Sequence, residues 1–581
     1  MEKPQTQPEE GSNHLRKPIH QQHEDTQAET GTSATENAQV VEGVADSETD
    51  EEKSAPAARM SHFQTVVLTL ALCACVFLAA LDVTIITTAL PTIAEKFHSV
   101  AGYAWIGAAY TLGEAASTPI WGKLSDIWGR KPLLQIAIGV FFVGSLLSAL
   151  SVDIGMLIVG RSIQGIGGGG LLTLPNIIIG DLFSMRVRGK YYGFIGMTWA
   201  LASSIGPVLG GVLTEKVSWR WLPIIGLVFV LIFLLLKLET PKTPIVAGLA
   251  AVDWLGCLSI VGATVMLLLG LEFGGVTHPW KSAIVICLIA FGIFTAVIFV
   301  LIEWKVAKYP VMPLRLFSKT SNAASLAAVF LHGMTFVVGT FYLPLYYQGV
   351  LGATALLSGV WLLPLTGGMA FSASCTGGYI KASGRFLETI WIGFILMTLG
   401  FGLFINLDDS KNWPKIILYQ IIAGLGVGTN FQGPLIALQN GVSGQDIATA
   451  TSLLGFTRAL ATSVGIVVGG VIFQNGFQSH ASQLQNSLGA AADAFLGGAA
   501  TASTELVDRL PEAQRAVTRR VYFDSLKNVW IFAVATSAVG LFVIVAIRKS
   551  TLSKQHEVVK TGLDAEEERR RTFLVKEERE M

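Results

Sequence analysis

Charge is what this chain has least of. Asp, Glu, Lys and Arg make up 14% of its 581 residues, against about 25% in soluble domains. That deficit excludes an array of soluble domains and points to a membrane protein. The two signs balance, 41 against 41, so net charge gives no argument for a nucleic-acid partner. Cysteine is scarce as well. All five (Cys73, Cys75, Cys257, Cys287 and Cys375) lie in apolar stretches. Cys73 and Cys75 lack zinc-ligand spacing and a partner pair, so we expect small buried hydrophobes and no metal. No G-x4-G-K-[ST] phosphate loop is present, which argues against an ATP-driven pump. The apolar stretches hold no His cluster and no Ser-His-Asp spacing, so we expect no enzyme, no catalytic residue and no cofactor. Residues 1–60 lack a secretory signal; they are polar, acidic and almost free of aromatics. The expectation is a disordered tail, with insertion beginning at the first span.

What the chain has in abundance is long apolar windows. Hydrophobic residues make up 51% of it, and a helix needs roughly 20 apolar residues to cross hydrocarbon. About fourteen windows qualify. They lie near 64–90, 102–121, 132–151, 154–180, 191–214, 220–238, 253–272, 282–303, 323–348, 356–378, 387–406, 414–438, 449–474 and 528–547. Lys and Arg crowd alternate short loops, among them Lys123, Arg130, Lys131, Arg186, Arg188, Lys190, Lys305, Lys308 and Arg315. The positive-inside rule then puts both termini in the cytoplasm. It makes 475–527 a long extracellular loop and 549–581 a solvated cytoplasmic tail.

The chain also repeats itself. Gly165, Gly167, Gly169 and Pro175 recur as Gly424, Gly426, Gly428 and Pro434, and 424 − 165 = 259. ALASSIG at 200–206 recurs as ALATSVG at 459–465 with the same offset. One glycine match could be chance among 61 glycines; two segments at one shared offset are not. Two related six-span halves are expected, 61–240 and 321–548, with two extra spans and a linker at 241–320. A tandem repeat of two such halves implies a site between them near mid-membrane.

Between the second and third spans runs GKLSDIWGRK (122–131). Gly122, Asp126, Gly129, Arg130 and Lys131 in this spacing resemble the cytoplasmic loop signature of the major facilitator superfamily, with Ile127 at a position that is usually basic. LDVTIITTALPTI (81–93) is similar to the first-span signature of the fourteen-span drug:proton antiporters. GRSIQGIGGGG (160–170) resembles the fourth-span motif. Gly193, Ala202, Gly206, Pro207, Gly210 and Gly211 resemble the antiporter motif of the fifth span, with Ala202 where Gly is usual. WRW (219–221), DWLG (253–256), PLRLF (313–317) and YLPLYYQGVLG (342–352) look like the fungal branch. The resemblance implies an all-α membrane protein of the major facilitator fold, two six-helix halves plus two helices between them. It implies a proton-coupled exporter of hydrophobic toxins, drugs or a secondary metabolite, a monomer in the plasma membrane or, second, the vacuolar membrane. The alternatives are a vacuolar basic amino-acid or iron-chelate transporter of the same fold and a non-transporting membrane receptor.

Charges within spans are costly, by about 2.5–3.5 kcal/mol on insertion scales. Asp82 is read as a protonation site, since a carboxylate in low dielectric can take up and release a proton during a cycle. Arg161 cannot give up its proton and is read as biasing an acid or holding an anionic substrate. Glu114 is read as a second proton site, a contact for a cationic substrate, or a buried partner for Arg161. Asp126 is expected to accept hydrogen bonds from the start of a neighbouring helix, and Arg130 to pair with Asp181 in a gate latch. The substrate cavity is expected from Tyr110, Gln164, Trp199, His332, Phe336, Tyr346, Trp361 and Arg458. Arg458 could instead pair with an acid, and His332 could titrate or simply pack.

Overall fold

In hydrocarbon every backbone amide must be bonded within its own segment, so long apolar windows fold as helices. The structure, a computed structural model, describes residues 61–97, 100–216, 243–274, 278–496, 507–554 and a few residues between 562 and 571. The expected span 220–238, the tail 1–60, WRW at 219–221 and most of the tail beyond 554 lie outside the described residues.

Thirteen long helices account for the other expected spans. They are α1 (His62–Lys96), α2 (Val100–Trp128), α3 (Arg130–Ala149), α4 (Ile154–Leu182), α5 (Met185–Lys216), α6 (Trp254–Phe273) and α7 (Ala283–Lys305). Then come α8 (Thr320–Gly349), α9 (Leu363–Ser383), α10 (Leu387–Phe404), α11 (Trp413–Thr429), α12 (Ile447–Ser479) and α13 (Glu512–Val543). Among the described residues, twelve helical segments are long and apolar enough to cross a membrane. The long helix outside that set is α2, which carries Glu114, Lys123 and Asp126. Among the described residues there is no β-strand, only a bridge between Gly274 and His278.

In the first half α4 packs on α2 and α3, and α1 on α5; in the second, α11 packs on α9 and α10. Across the halves α5 lies against α9, and α2 against α12. α6 and α7 pair with each other, and α6 touches α2, where Trp105 meets Phe273 edge-on at 5.4 Å. α7 leaves Phe291, Phe294 and Val297 more than half exposed. An apolar face this continuous is what a helix presents to lipid.

Three expectations are revised. The stretch 475–527 is not all loop: α12 continues to Ser479, Ala481–Leu488 is helical, and α13 begins at Glu512. The tail does not leave the bundle at 549. Leu552 is buried, its amide bonds the Gly384 carbonyl, and the Ser553 carbonyl accepts from the Arg186 amide. The expected span 414–438 is broken: α11 stops at Thr429, and helix resumes at Gly433–Asn440. Pro434 has no N–H for the Asn430 carbonyl, and Gly433 adds a weak helix former beside it.

Candidate functional site: a buried ion network and an aromatic box between the halves

Glycine brings the helices of the first half close enough for their polar groups to meet. A Cβ at Gly165 would overlap the Tyr110 carbonyl of α2, and one at Gly167 the backbone of Phe141 in α3. This close approach holds α4 against both neighbours. From α4, Arg161 reaches Asp82 on α1 at 2.6 Å; the two side chains are 1% and 6% exposed. Gln164, one turn on, accepts from Arg161 at 2.8 Å. It donates to the other Asp82 oxygen at 2.7 Å and to Ser145 of α3 at 2.9 Å. Arg161 Nε donates to the Ile106 carbonyl, and the guanidinium lies 4.7 Å from the Tyr110 ring centroid. Both carboxylate oxygens of Asp82 are therefore bonded, and four helices share one buried ion pair. Such a pair needs extra hydrogen bonds to offset desolvation, and Gln164 supplies them.

Glu114 does not join this network. Arg161 takes Asp82 as its acid, because α1 is the neighbour its guanidinium reaches. Among the described residues the Glu114 carboxylate has no hydrogen bond or ion pair, and it is half-buried. Tyr110 and Gln164, expected in the cavity, belong instead to the network, 1% and 0% exposed.

The second cluster joins the halves. Trp199 of α5 stands edge-on to Phe336 of α8 at 5.8 Å and lies 6.4 Å from Phe431. Phe336 and Phe431 are 5.5 Å apart, and His332 is 5.3 Å from Phe431. Arg458 of α12 places its guanidinium 5.4 Å from the Phe431 centroid and donates from Nη2 to the Phe431 carbonyl at 3.1 Å. Its buried Nε has no acceptor. His332 Nε2 meets the Val427 carbonyl at 3.0 Å, while its buried Nδ1 has no partner. The break after Thr429 makes this possible: it turns the C-terminal carbonyls of α11 toward two donors, the end of a helix that favours positive charge. Phe431 was missed in the sequence. The signal was present, in the polar pair Asn430 and Gln432 around it and Pro434 just beyond.

Tyr346 and Trp361 do not join the box. Tyr346 donates to the Asp408 carbonyl at 2.6 Å, and Trp361 stands edge-on to Trp413 at 4.9 Å. Both are held by the 405–412 connection and the start of α11, away from the break.

The loop between α2 and α3 is tied down rather than solvated. Gly129 has φ 88°, a left-handed turn that favours glycine. Arg130 bonds Asp181 at 2.6 Å, Asp126 at 2.7 Å and Ser125 at 2.7 Å. Asp126 thus meets a side chain of its own loop. Lys131, beside it, is half-buried at the start of α3. At this end the halves also meet. A Cβ on Gly122 would overlap Ser452 of α12. The Tyr192 hydroxyl exchanges hydrogen bonds with Gln439, and Arg186 donates to the Lys381 and Ala382 carbonyls.

The fifth-span motif works on two faces. Gly206 admits Thr84 of α1, which bonds the Ala202 carbonyl at 3.1 Å. Gly193 lies against Ala373 and Gly377 of α9, and Pro207 touches Gly359. Gly210 is buried, and Gly211 follows in the same helix. Small residues let both helices approach closely, so α5 is clasped by its own half and by the other.

A sequence profile described as Major Facilitator Superfamily matches residues 72–466. The chain is 49% identical over 505 residues to "Efflux pump dotC" of Dothistroma septosporum, covering 86% of this chain and 87% of that one. It is 48% identical over 525 residues to "MFS-type transporter ppz2" of Metarhizium majus, covering 89% and 91%. Among solved structures, the proton:xylose symporter XylE superposes with a TM-score of 0.53 at 13% identity, covering 86% of this chain and 99% of that one. The human transporter MFSD10 gives 0.52 at 15%, covering 81% and 99%. These two show the fold alone. The chain belongs to the major facilitator superfamily and is a multi-pass membrane transporter related over most of its length to fungal efflux pumps.

Proposed function

We propose that the chain is a proton-coupled exporter that moves a small hydrophobic compound between its two halves by alternating access. The observation that carries this is the pairing of two unlike sites in one bundle. A closed Asp82–Arg161–Gln164 network lies inside the first half, and an aromatic box with an uncompensated cation lies where Trp199 meets the second. Substrate binds at the box. Protons act on Glu114, whose carboxylate is unpartnered among the described residues, and on Asp82, whose ion pair with Arg161 is lost when it is neutral. The basic loop end is cytoplasmic, with both termini there, and the membrane is the plasma membrane. The Arg130–Asp181 pair and the Gly122–Ser452 contact close the cytoplasmic side. One charge moved through 100 mV supplies about 2.3 kcal/mol, a bias of roughly 50-fold before any pH gradient contributes.

The test is flux of a fluorescent hydrophobic compound in sealed proteoliposomes under an imposed pH step. Asp82→Asn and Glu114→Gln should abolish uphill transport while leaving the protein inserted and able to exchange substrate without a gradient. Undiminished gradient-driven flux in both variants would remove proton coupling from the scheme.

A further inference from the structure

We infer that the compound carried is an organic anion with a planar aromatic body, recognised by Arg458. This rests on the transporter reading above and adds the chemical class. Arg458 sits in the middle of α12, yet among the described residues it has no acidic partner. A guanidinium offers five donors in a planar fork. Here one is used on the Phe431 carbonyl, and Nε is buried with no acceptor. Charge inside a span persists where a partner or cavity meets it. The partner missing from the protein is one whose shape suits a fork, a carboxylate or ionised acidic hydroxyl. The surroundings specify the rest. Trp199, Phe336, Phe431 and His332 form one ring cluster with centroid spacings of 5.3–6.4 Å, and the cation lies 5.4 Å from the Phe431 centroid. These spacings are those at which aromatic faces and edges attract.

The same box explains why binding would matter to both halves. Trp199 comes from the first half and the rest from the second, so an aromatic anion held there bridges the moving parts.

Binding is measured by calorimetry on the full chain in nanodiscs with three matched probes: 9-anthracenecarboxylate, its neutral carboxamide and the cationic 9-(aminomethyl)anthracene. The carboxylate should bind about tenfold tighter than the amide, the ratio expected when a charge-assisted bond replaces a neutral one, and the amine weakest. Arg458→Gln should erase the carboxylate preference, and Arg458→Lys should keep part of it. Should the Gln variant fail to fold, the wild-type ranking alone decides. Equal binding of amide and carboxylate, tightest binding of the amine, binding of none of the three, or a preference untouched in Arg458→Gln would each overturn the inference. The same probes in proteoliposomes separate it from the reading beneath. Movement without charge preference sinks the anion and spares the transporter; no movement of any solute sinks both.

Discussion

α4 and α11 are the same helix twice, 259 residues apart, and they have kept different things. The glycines are kept to the atom. A Cβ at Gly165 would overlap the Tyr110 carbonyl, and one at Gly424 the Leu365 carbonyl; Gly167 meets Phe141 and Gly426 meets Met397 in the same way. The charges are not kept. Arg161 closes a network with Asp82, while its counterpart Gln420 turns back to the Ile416 carbonyl and leaves its own Oε1 without a partner. The paired prolines also part company. Pro175 lies within an unbroken α4, whereas α11 ends at Thr429, before Pro434, and helix resumes only at Gly433. Backbone approach is what duplication preserved, and chemistry is what the halves divided: the first stores a buried ion pair, the second opens its backbone toward Arg458 and His332.

The strongest way to break this comparison is to remove the polar residue from each helix. Arg161→Ala strands Asp82 in a buried, uncharged setting, and losing one member of such a pair costs about 3–5 kcal/mol. We expect a large fall in the thermal unfolding temperature in detergent. Gln420→Ala removes one side-chain bond and one unsatisfied oxygen, so its cost should stay under about 1 kcal/mol. Equal losses in the two variants would mean that the halves are chemically alike.

The glycines should behave in the opposite way, as equals. Gly165→Ala and Gly424→Ala each push a methyl into a neighbouring carbonyl, and overpacking of this kind costs about 1–3 kcal/mol. Both variants should unfold at similarly lowered temperatures. A large loss in one alone would show that close approach serves only that half.

Much of this was legible in the residues and some was not, for physical reasons. Span positions, the repeat and the Arg130–Asp181 pair follow from apolar length, offset and charge sign, which are local properties. The family, found from the loop at 122–131 and the motifs of α1, α4 and α5, agrees with the profile match over 72–466. Which acid meets Arg161 was not legible. Asp82 and Glu114 are both one helix away, and the choice depends on helix rotation, which apolar windows do not encode. The break after Thr429 was half legible: Pro434 signals a lost bond, yet Pro175 loses the same bond without breaking α4. The difference lies in context. Leu171, Leu172 and Leu174 flank one site, while Asn430, Gln432 and Gly433 flank the other, and Gln432 donates across the halves to the Tyr192 carbonyl at 2.6 Å. Tyr346 and Trp361 were misplaced because an aromatic in a span carries no mark of its depth.

The smallest expected difference lies at the helix starts. Asp153 caps α4, its carboxylate accepting from the Met156 amide at 2.9 Å. The counterpart, Asn412 (153 + 259 = 412), makes no such cap on α11 and donates instead to Asp408 at 2.8 Å. Asp408 also accepts from Lys415 at 2.9 Å, and these two bonds, Lys415 first, hold its carboxyl below the ordinary 3.8. A cap of the Asp153 kind contributes about 1 kcal/mol, so Asp153→Ala should lower the unfolding temperature slightly. Asp408→Asn should do less, since that pair is exposed and screened by salt. Its sign with pH is fixed by the lowered value. The contribution is present above the unfolded carboxyl range and fades as pH falls through the folded one. The gap between wild type and Asp408→Asn should therefore close on acidification and in high salt. A gap that widened toward low pH would show that Asp408 is held protonated, and that the second half starts its helix on a neutral hydrogen bond.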